Sequence, residues 1–152
     1  MSAIADRLKE LGIVLPEPAA PVASYVPAVE HGGVLTISGQ ISFGPNGLVT
    51  GRLGDTLTLE DGQAAARLCG LMLIAQVKKA LGDLDRVARV IRLGGFVAST
   101  PDFFDQPKVI NGASDLMLEV FGEAGRHARA AVGCPALPLG AAVEVEGSFA
   151  VR

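Results

Sequence analysis

Two charged residues near the C-terminus interrupt segments that are otherwise apolar. Arg129 lies in the segment ARAAVG, and Glu144 lies in the segment AAVEVEG. The planar fork of a guanidinium matches a carboxylate through two hydrogen bonds, and a carboxylate can hold or deprotonate a water molecule. Together the two residues could bind a small acid and hydrate it. The alternative is an ordinary cross-strand salt bridge, which contributes little to stability where it is exposed.

The relative position of these residues depends on how their strands pair. If the two segments form a hairpin that turns around Ala136-Leu137, Arg129 lies opposite Glu144 on one face of a sheet. A slip of one residue would place them on opposite faces. Glu146 shares the face of Glu144 by alternation, and we expect it to be a solvated or interface charge.

The cysteines and histidines form no recognisable site in the sequence. Cys69 and Cys134 have no metal-binding spacing, and His31 and His127 are isolated. A zinc site would need further ligands, and a Ser-His-Asp triad has few candidates for its base. Nothing marks the Cys134 thiol as activated, so we expect it to be a packed apolar group. The sequence therefore predicts no metal site.

Charge and hydropathy argue against several functional classes. The formal net charge is −3 and the basic residues are scattered, so we expect no nucleic-acid partner. The longest apolar run, residues 68–77, is shorter than the roughly 18 residues that a membrane span needs. The N-terminal segment mixes acids and bases, unlike a signal peptide. We therefore expect a soluble, cytoplasmic protein with no membrane partner.

Length and composition predict one domain that forms an oligomer. A chain of 152 residues has room for one hydrophobic core. Hydrophobic residues make up 49% of the chain and the mean hydropathy is +0.41. A small domain with this composition has more apolar surface than it can bury alone. We therefore expect a substantial interface between subunits.

Helix and turn signals indicate the elements that must position the charged residues. Residues 1–21 are predicted to form a leading amphipathic helix and a Pro-rich linker, ahead of a core over residues 22–152. Thr58 and Asp61 form a capping-box pattern at the start of a long helix that ends near Leu81. The other predicted elements are two strands joined by a turn at Gly32-Gly33, a turn at Pro45-Asn46-Gly47 with a short strand over residues 48–53, a strand over residues 86–99, a helical region that begins at Thr100-Pro101, and two C-terminal strands.

This order of elements predicts an α+β sandwich. One mixed or antiparallel sheet would carry two helices on one face. The other face would then be free to meet partner subunits, in agreement with the excess of hydrophobic residues.

The motifs resemble those of the RidA/YjgF-like family of reactive intermediate deaminases. The resemblance rests on Tyr25-Val26, on VLTISGQIS, on GGFVASTPDFFDQ followed by Asn111, and on RAAVGCPALPLGAAVEVEG. It covers residues 22–151 in the family's order. Its most specific part is R-x-x-V-G-x-x-x-L-P-x-G-x-x-V-E-V-E, which begins at Arg129. The leading helix and the linker go beyond the short members, as in a longer branch of the family.

The resemblance implies a fold, an assembly and a reaction. The fold is a chorismate-mutase-like sandwich, and the assembly is a homotrimer with clefts between neighbouring subunits. The best-known members hydrolyse reactive enamines and imines to 2-oxo acids and release ammonia, without metal or organic cofactor. Other members have been described as endoribonucleases or translation inhibitors. The expected partner is a small substrate that bears a carboxylate.

The resemblance also implies roles for individual residues. Arg129 matches the arginine that binds the substrate carboxylate, and Glu144 matches the glutamate that positions the attacking water. The substrate-binding positions are Tyr25, Ser38, Gly39, Asn111 and Ala131. Many members carry a cysteine at the position of Ala131, so this site lacks that thiol.

Three functions remain open on the sequence. The first is hydrolysis of 2-imino acids by Arg129 and Glu144. The second is a trimer that binds small carboxylates without catalysis. The third is an endoribonuclease, against which the acidic composition argues.

Overall fold

The chain begins with a short helix that is tied to the body of the protein. The computed structural model describes residues 2–152. Helix α1 (Ala3–Glu10) is capped by the Ser2 hydroxyl, which accepts a hydrogen bond from the Ala5 N–H. Leu8 is buried in the core, and the residues around it pack against the core from the same side. No helix or strand forms over residues 15–21, as the prolines of the linker predict.

Two hairpins follow the linker, each at the turn that the sequence predicts. Strands β1 (Ala28–His31) and β2 (Val34–Ile41) pair antiparallel around Gly32-Gly33, whose φ angles are 60° and 77°. Only glycine adopts two successive positive φ angles without strain, so the pair is suited to a two-residue turn. Strands β3 (Phe43–Gly44) and β4 (Gly47–Leu48) form a separate small ribbon. The strand predicted over residues 48–53 does not form as one element. Only Leu48 belongs to a strand, β4, and Thr50 and Leu53 form isolated bridges.

A long helix forms the main layer over the sheet. Helix α2 (Leu59–Leu81) begins with the predicted capping box, since the Thr58 hydroxyl and the Asp61 carboxylate each accept a backbone N–H of the other residue. It ends at Gly82, where φ is 80°. About half of its residues are buried, which explains its nearly continuous apolar sequence.

The second half of the chain completes the sheet. It contains strand β5 (Val87–Ala98), helix α3 (Gln106–Phe121), strand β6 (Ala128–Cys134) and strand β7 (Val143–Val151). The strand order is β1-β2-β7-β5-β6, with β6 parallel to β5 and the other neighbours antiparallel. Helix α3 starts at Gln106 and not at Thr100-Pro101. Thr100 begins a turn instead, because its hydroxyl donates to the Asp102 carboxylate at 2.7 Å.

The prediction that the last two strands form a hairpin is wrong. Strand β7 lies between β2 and β5, so β5 separates it from β6. Alternate residues of β7, such as Val143, Val145 and Phe149, are fully buried, and burial of this kind favours a central strand. Strand β6 has no fully buried residue and occupies an edge.

The sheet has one covered face and one open face. Both α2 and α3 pack on the covered face, where Leu35, Leu93 and Val145 point into the core. Residues that alternate with these lie on the open face, which no helix or strand of residues 2–152 covers. The α+β sandwich with two helices on one face is therefore confirmed. No helix within residues 2–152 has the length and apolar character needed to cross a membrane.

Candidate functional site

Arg129 is held on the covered side of the edge strand β6. It pairs with Leu93, whose side chain faces the helices. Its guanidinium reaches helix α3, where Nη1 donates to Asn111 Oδ1 at 2.8 Å and to Ser114 Oγ at 3.2 Å. Nη2 donates to the carbonyl of Pro107 at 3.3 Å. The structure thus brings together two of the predicted site residues, Arg129 and Asn111.

The hydrogen-bond partners of Arg129 carry no compensating charge. All three of its acceptors are uncharged, and no carboxylate within residues 2–152 forms an ion pair with it. Its planar fork is therefore oriented by the protein while its positive charge stays available to a ligand.

Ser114 is a contact of Arg129 that the sequence did not reveal. This serine is buried, and its hydroxyl also lies 2.9 Å from Nε2 of His127. His127 Nδ1 lies 2.6 Å from the Gly125 carbonyl, which can only accept. We therefore assign the proton to Nδ1, so that Ser114 donates to Nε2 and accepts from Arg129. A polar residue inside an apolar helix gives no sequence signal of such a role.

Glu144 lies on the open face of the sheet. It pairs with Ile41 of β2 and Phe96 of β5. A Cβ atom at Gly39 would lie only 2.6 Å from Glu144 Oε2, so the carboxylate extends over a position that must lack a side chain. Burial raises the pKa of Glu144, and the charge of Glu146 raises it further. A carboxylate with a raised pKa is a stronger base than an ordinary one.

Ser38 connects the segment that carries Tyr25 to the strand that carries Gly39. The register of β2 against β7 shifts between Ile37 and Gln40, and this irregularity contains Ser38 and Gly39. The Ser38 hydroxyl donates to the carbonyl of Val26 at 2.8 Å, which fixes the segment that carries Tyr25. The Tyr25 side chain is half exposed.

Two buried glutamines support this irregularity in β2. Gln40 donates to the Ser38 carbonyl at 2.8 Å, and its Oε1 accepts from Gln76 Nε2 at 3.3 Å. Gln76, which is 2% exposed, also donates to the carbonyl of Ala19 in the linker at 2.8 Å. These hydrogen bonds connect the linker, helix α2 and the Ser38-Gly39 segment. No sequence signal marks Gln76, because a single glutamine in a helix is usually a solvated residue.

The predicted alignment of Arg129 with Glu144 does not occur in one chain. Arg129 shares a face with Leu93, whereas Glu144 shares the opposite face with Phe96. These β5 residues are three positions apart, and an odd separation along a strand changes the face. The site residues therefore form two groups, one with Arg129, Asn111 and Ala131 on the covered side and one around Glu144 on the open face.

The thiols and the acidic residues add no metal centre to either group. Within residues 2–152, no cluster of three or more His, Cys, Asp or Glu side chains is arranged to hold a metal ion. Cys69 is fully buried, and burial raises the pKa of its thiol. Burial, followed by the charge of Glu144, also raises the pKa of the Cys134 thiol. Neither environment activates a thiolate.

The chain is similar to a known protein family and to a known protein. A model of the family described as "YjgF/chorismate mutase-like, putative endoribonuclease" matches residues 5–149. Protein TCP17 of Trypanosoma cruzi is 54% identical over 145 residues, which cover 94% of this chain and 91% of that protein.

Two crystal structures share the fold over almost the whole chain. Atu1372 of Agrobacterium tumefaciens, a protein of unknown function, is 48% identical with a TM-score of 0.90 and covers 98% of this chain and 92% of that chain. A "putative endoribonuclease" of Shewanella oneidensis MR-1 is 39% identical with a TM-score of 0.94 and covers 97% and 99%. The match of the family model, the identity to TCP17 and the shared fold agree, and the chain belongs to the YjgF/RidA-like family.

Proposed function

We propose that the protein hydrolyses reactive 2-imino acids to 2-oxo acids and ammonia. Arg129 binds the substrate carboxylate, and Glu144 positions the attacking water. The observation that carries the proposal is the state of Arg129, a guanidinium held by three uncharged acceptors with no carboxylate paired to it. An arginine prepared in this way is suited to a ligand carboxylate.

The chemistry needs a base and orientation but no metal or organic cofactor. Water adds to the carbon of the protonated imine, so that a C–O bond forms, the C=N electron pair moves to nitrogen, and Glu144 accepts one proton from the water. Glu144 then returns this proton to the amino nitrogen of the adduct. The hydroxyl group loses its own proton to solvent as the C=O bond forms and the C–N bond breaks, which leaves the 2-oxo acid and ammonia. The raised pKa of Glu144 suits a group that both accepts and returns a proton.

The proposal requires more than one copy of the chain. Because Arg129 and Glu144 lie on opposite faces of one sheet, a complete site forms where the β6 edge of one subunit meets the open face of its neighbour. The half-exposed side chains of Val29 and Val132 on the open face favour such an interface. The assembly we propose is a homotrimer with three clefts between subunits.

The proposed substrate also indicates a compartment. Imino acids of this type escape from pyridoxal-phosphate enzymes in the cytoplasm, which is the localisation we propose.

A second candidate function is binding without catalysis. The separation of Arg129 from Glu144 within one chain favours it, because Arg129 can bind a small carboxylate without help from Glu144.

The test is an imine-hydrolysis assay. An amino-acid oxidase generates 2-imino acids from several L-amino acids, and semicarbazide traps the imine that remains. We expect the protein to speed the loss of imine, and Arg129→Gln to lower the rate by about 100-fold or more. Arg89→Gln is the matched control, since Arg89 also bonds a backbone carbonyl from an exposed position.

The variants separate the two candidate functions. Arg129→Lys keeps the charge but loses the fork, so we expect a smaller loss than in Arg129→Gln. If no imine is hydrolysed while 2-oxo acids bind and Arg129→Gln abolishes that binding, the protein is a carboxylate-binding protein.

A further inference from the structure

A cavity outside both groups of site residues lies at the C-terminal ends of β5 and β6. Its volume is about 440 Å³, and its walls include Arg52, Phe103, Phe104, Cys134 and Pro135. None of the seven residues predicted for the imine site lines it. Its size lies within the range of small-molecule sites in proteins.

Among residues 2–152, Arg52 is the only charged residue in the wall of this cavity, and its side chain has no partner there. Its Nε is completely buried and has no hydrogen-bond partner within residues 2–152. No carboxylate of the described chain forms an ion pair with it. Buried donors in folded proteins almost always have an acceptor, whereas this guanidinium nitrogen lacks an acceptor within the described residues, and the charge of the guanidinium is available at the cavity wall.

The backbone around Arg52 is firmly held. Its N–H donates to Thr56 Oγ1 at 3.2 Å, and its carbonyl accepts from the Leu57 N–H at 3.1 Å. The next residue, Leu53, is fully buried, and its N–H donates to the carbonyl of Ala98 at the end of β5 at 2.9 Å while its carbonyl accepts from the Thr100 N–H at 3.0 Å. The unpaired side chain is therefore presented by an ordered segment and not by a loose loop.

The other polar groups of the cavity are uncharged or already partnered. Gln106 Nε2 donates to the Phe103 carbonyl at 2.8 Å and to Ser99 Oγ at 3.4 Å. The nearby Asp102 carboxylate accepts from the Thr100 hydroxyl at 2.7 Å. Because burial raises the pKa of the Cys134 thiol, this group stays neutral at physiological pH. Arg52 thus provides the charge that would recognise a ligand.

We propose that this cavity binds a small aromatic carboxylate, with its carboxylate on Arg52 and its ring against Phe103, Phe104 and the proline walls. The guanidinium supplies a bidentate fork for the carboxylate. Phe104 is 78% exposed, so a flat apolar ligand would cover a ring that the chain itself leaves in water. A small hydrated anion would leave these apolar walls without a partner.

This site differs from the imine site but lies next to it along α3. Gln106 lines the cavity, and the carbonyl of the following residue, Pro107, accepts from Arg129. The inference does not depend on the proposed deaminase activity, because neither Arg129 nor Glu144 contributes to the cavity.

The test is isothermal titration of the full chain with phenylacetate, with neutral 2-phenylacetamide as the comparison ligand. We expect saturable binding of phenylacetate and at least about tenfold weaker binding of the amide. Arg52→Gln should weaken phenylacetate binding by about tenfold or more, and Arg52→Lys by less. Phe104→Ala, which changes an exposed side chain, should also weaken binding without loss of thermal stability.

Two further variants locate the binding. Arg126→Gln, in which an exposed arginine on the surface is removed, should leave phenylacetate binding unchanged, and Arg129→Gln tests whether the ligand enters the imine site instead. Binding that is lost in Arg129→Gln but kept in Arg52→Gln would place the ligand in the imine site and overturn the proposal.

Other outcomes would also overturn it. One is the absence of saturable binding to a folded protein. Another is a change of oligomeric state in Arg52→Gln without a change in phenylacetate binding, since this would identify the missing acceptor as a carboxylate of a neighbouring subunit.

Discussion

Glu144 is the residue whose ionisation should govern the proposed reaction. It must be charged to take a proton from water, and its pKa is raised by burial first and by Glu146 second. Since the folded state holds this proton more tightly than the unfolded chain, Glu144 lowers the stability of the fold as the pH rises through the window between the two pKa values. The same carboxylate therefore favours catalysis at the expense of stability.

Replacing Glu146 should move the pH profile of the reaction. In Glu146→Gln the second cause of the raised pKa is absent, so the acidic limb of imine hydrolysis should shift to lower pH while remaining above that of an ordinary glutamate. The pH dependence of kcat/KM measures the shift. Glu123→Gln, at an exposed position, serves as the control, and equal profiles for Glu146→Gln and the native protein would contradict the expected coupling.

Gln76 is the residue whose removal should most disturb the segment around Gly39. Gln76→Leu leaves the buried Oε1 of Gln40 without its donor and releases the carbonyl of Ala19. A buried polar group without a partner costs about 1–3 kcal/mol, so the free energy of unfolding should fall by about this amount. Urea denaturation measures the effect, and Gln63→Leu is the control because Gln63 makes its hydrogen bond at the surface.

At the scale of elements, the leading helix α1 is a fixed part of the domain. The Asp85 carboxylate accepts from the Ser2 hydroxyl at 2.8 Å, from the Ala3 N–H at 2.8 Å and from the Ile4 N–H at 2.9 Å. At the other side of the helix, Arg7 Nε donates to the carbonyl of Glu119 at 2.9 Å. A single acidic side chain thus supplies acceptors for the free donors at the start of α1.

Removing the Asp85 carboxylate should loosen α1 without unfolding the core. In Asp85→Ala the amides of α1 should exchange with solvent roughly fivefold to tenfold faster, since a helix loses its cap. Hydrogen exchange followed by mass spectrometry measures this change. Asp6→Ala, within α1 itself, should have a smaller effect, and equal protection in Asp85→Ala and the native chain would contradict the assigned role.

The attachment of α1 should also depend on pH. The N–H groups of Ile4 and Ala3, together with the Ser2 hydroxyl, lower the pKa of Asp85. The stabilisation of α1 by the Asp85 carboxylate is therefore fully present above the ordinary pKa of an aspartate, and it is lost as the pH falls through the lowered pKa of Asp85.

At the scale of the whole molecule, the two faces of the sheet decide how a site can form. The helices cover Arg129 from one side, whereas Glu144 lies on the open face with Phe96. Strand β6 has a free edge, and an uncovered edge next to an open face is a natural place for a second copy to bind.

Mixing two inactive variants should restore activity if each site uses two subunits. When Arg129→Gln and Glu144→Gln chains are refolded together, about one quarter of the clefts in random trimers carry an intact Arg129 and an intact Glu144. We therefore expect about a quarter of the native rate of imine hydrolysis. Each variant refolded alone is the control, and a mixture that stays inactive while forming trimers would contradict a site shared between subunits.

The local elements could be predicted from the sequence because their causes are local. The Gly32-Gly33 turn, the Thr58-Asp61 capping box and the stop at Gly82 each depend on residues a few positions apart. The position of β7 could not be predicted in this way. Pairing with β2 and β5 depends on which strand can bury its alternate residues under the helices while it forms hydrogen bonds with a neighbour on each edge, and this is a property of the whole sheet.

The candidate site shows the same division between local and distant causes. Arg129, Glu144 and Asn111 were identified by residue type and motif, and the structure places Asn111 on Arg129. Ser114 and Gln76 gave no signal, because a buried hydrogen bond between distant segments leaves no pattern along the chain.

By itself, then, the sequence determined the family, the α+β class, the helices and turns, and the residue types available for chemistry, since these follow from side chains and short spacings. Only the tertiary structure decided that Arg129 and Glu144 lie on opposite faces of the sheet and that Arg52 lines a separate cavity. The physical reason is that the face of a strand residue depends on the register and partner of its strand, which burial of the core selects over the entire chain.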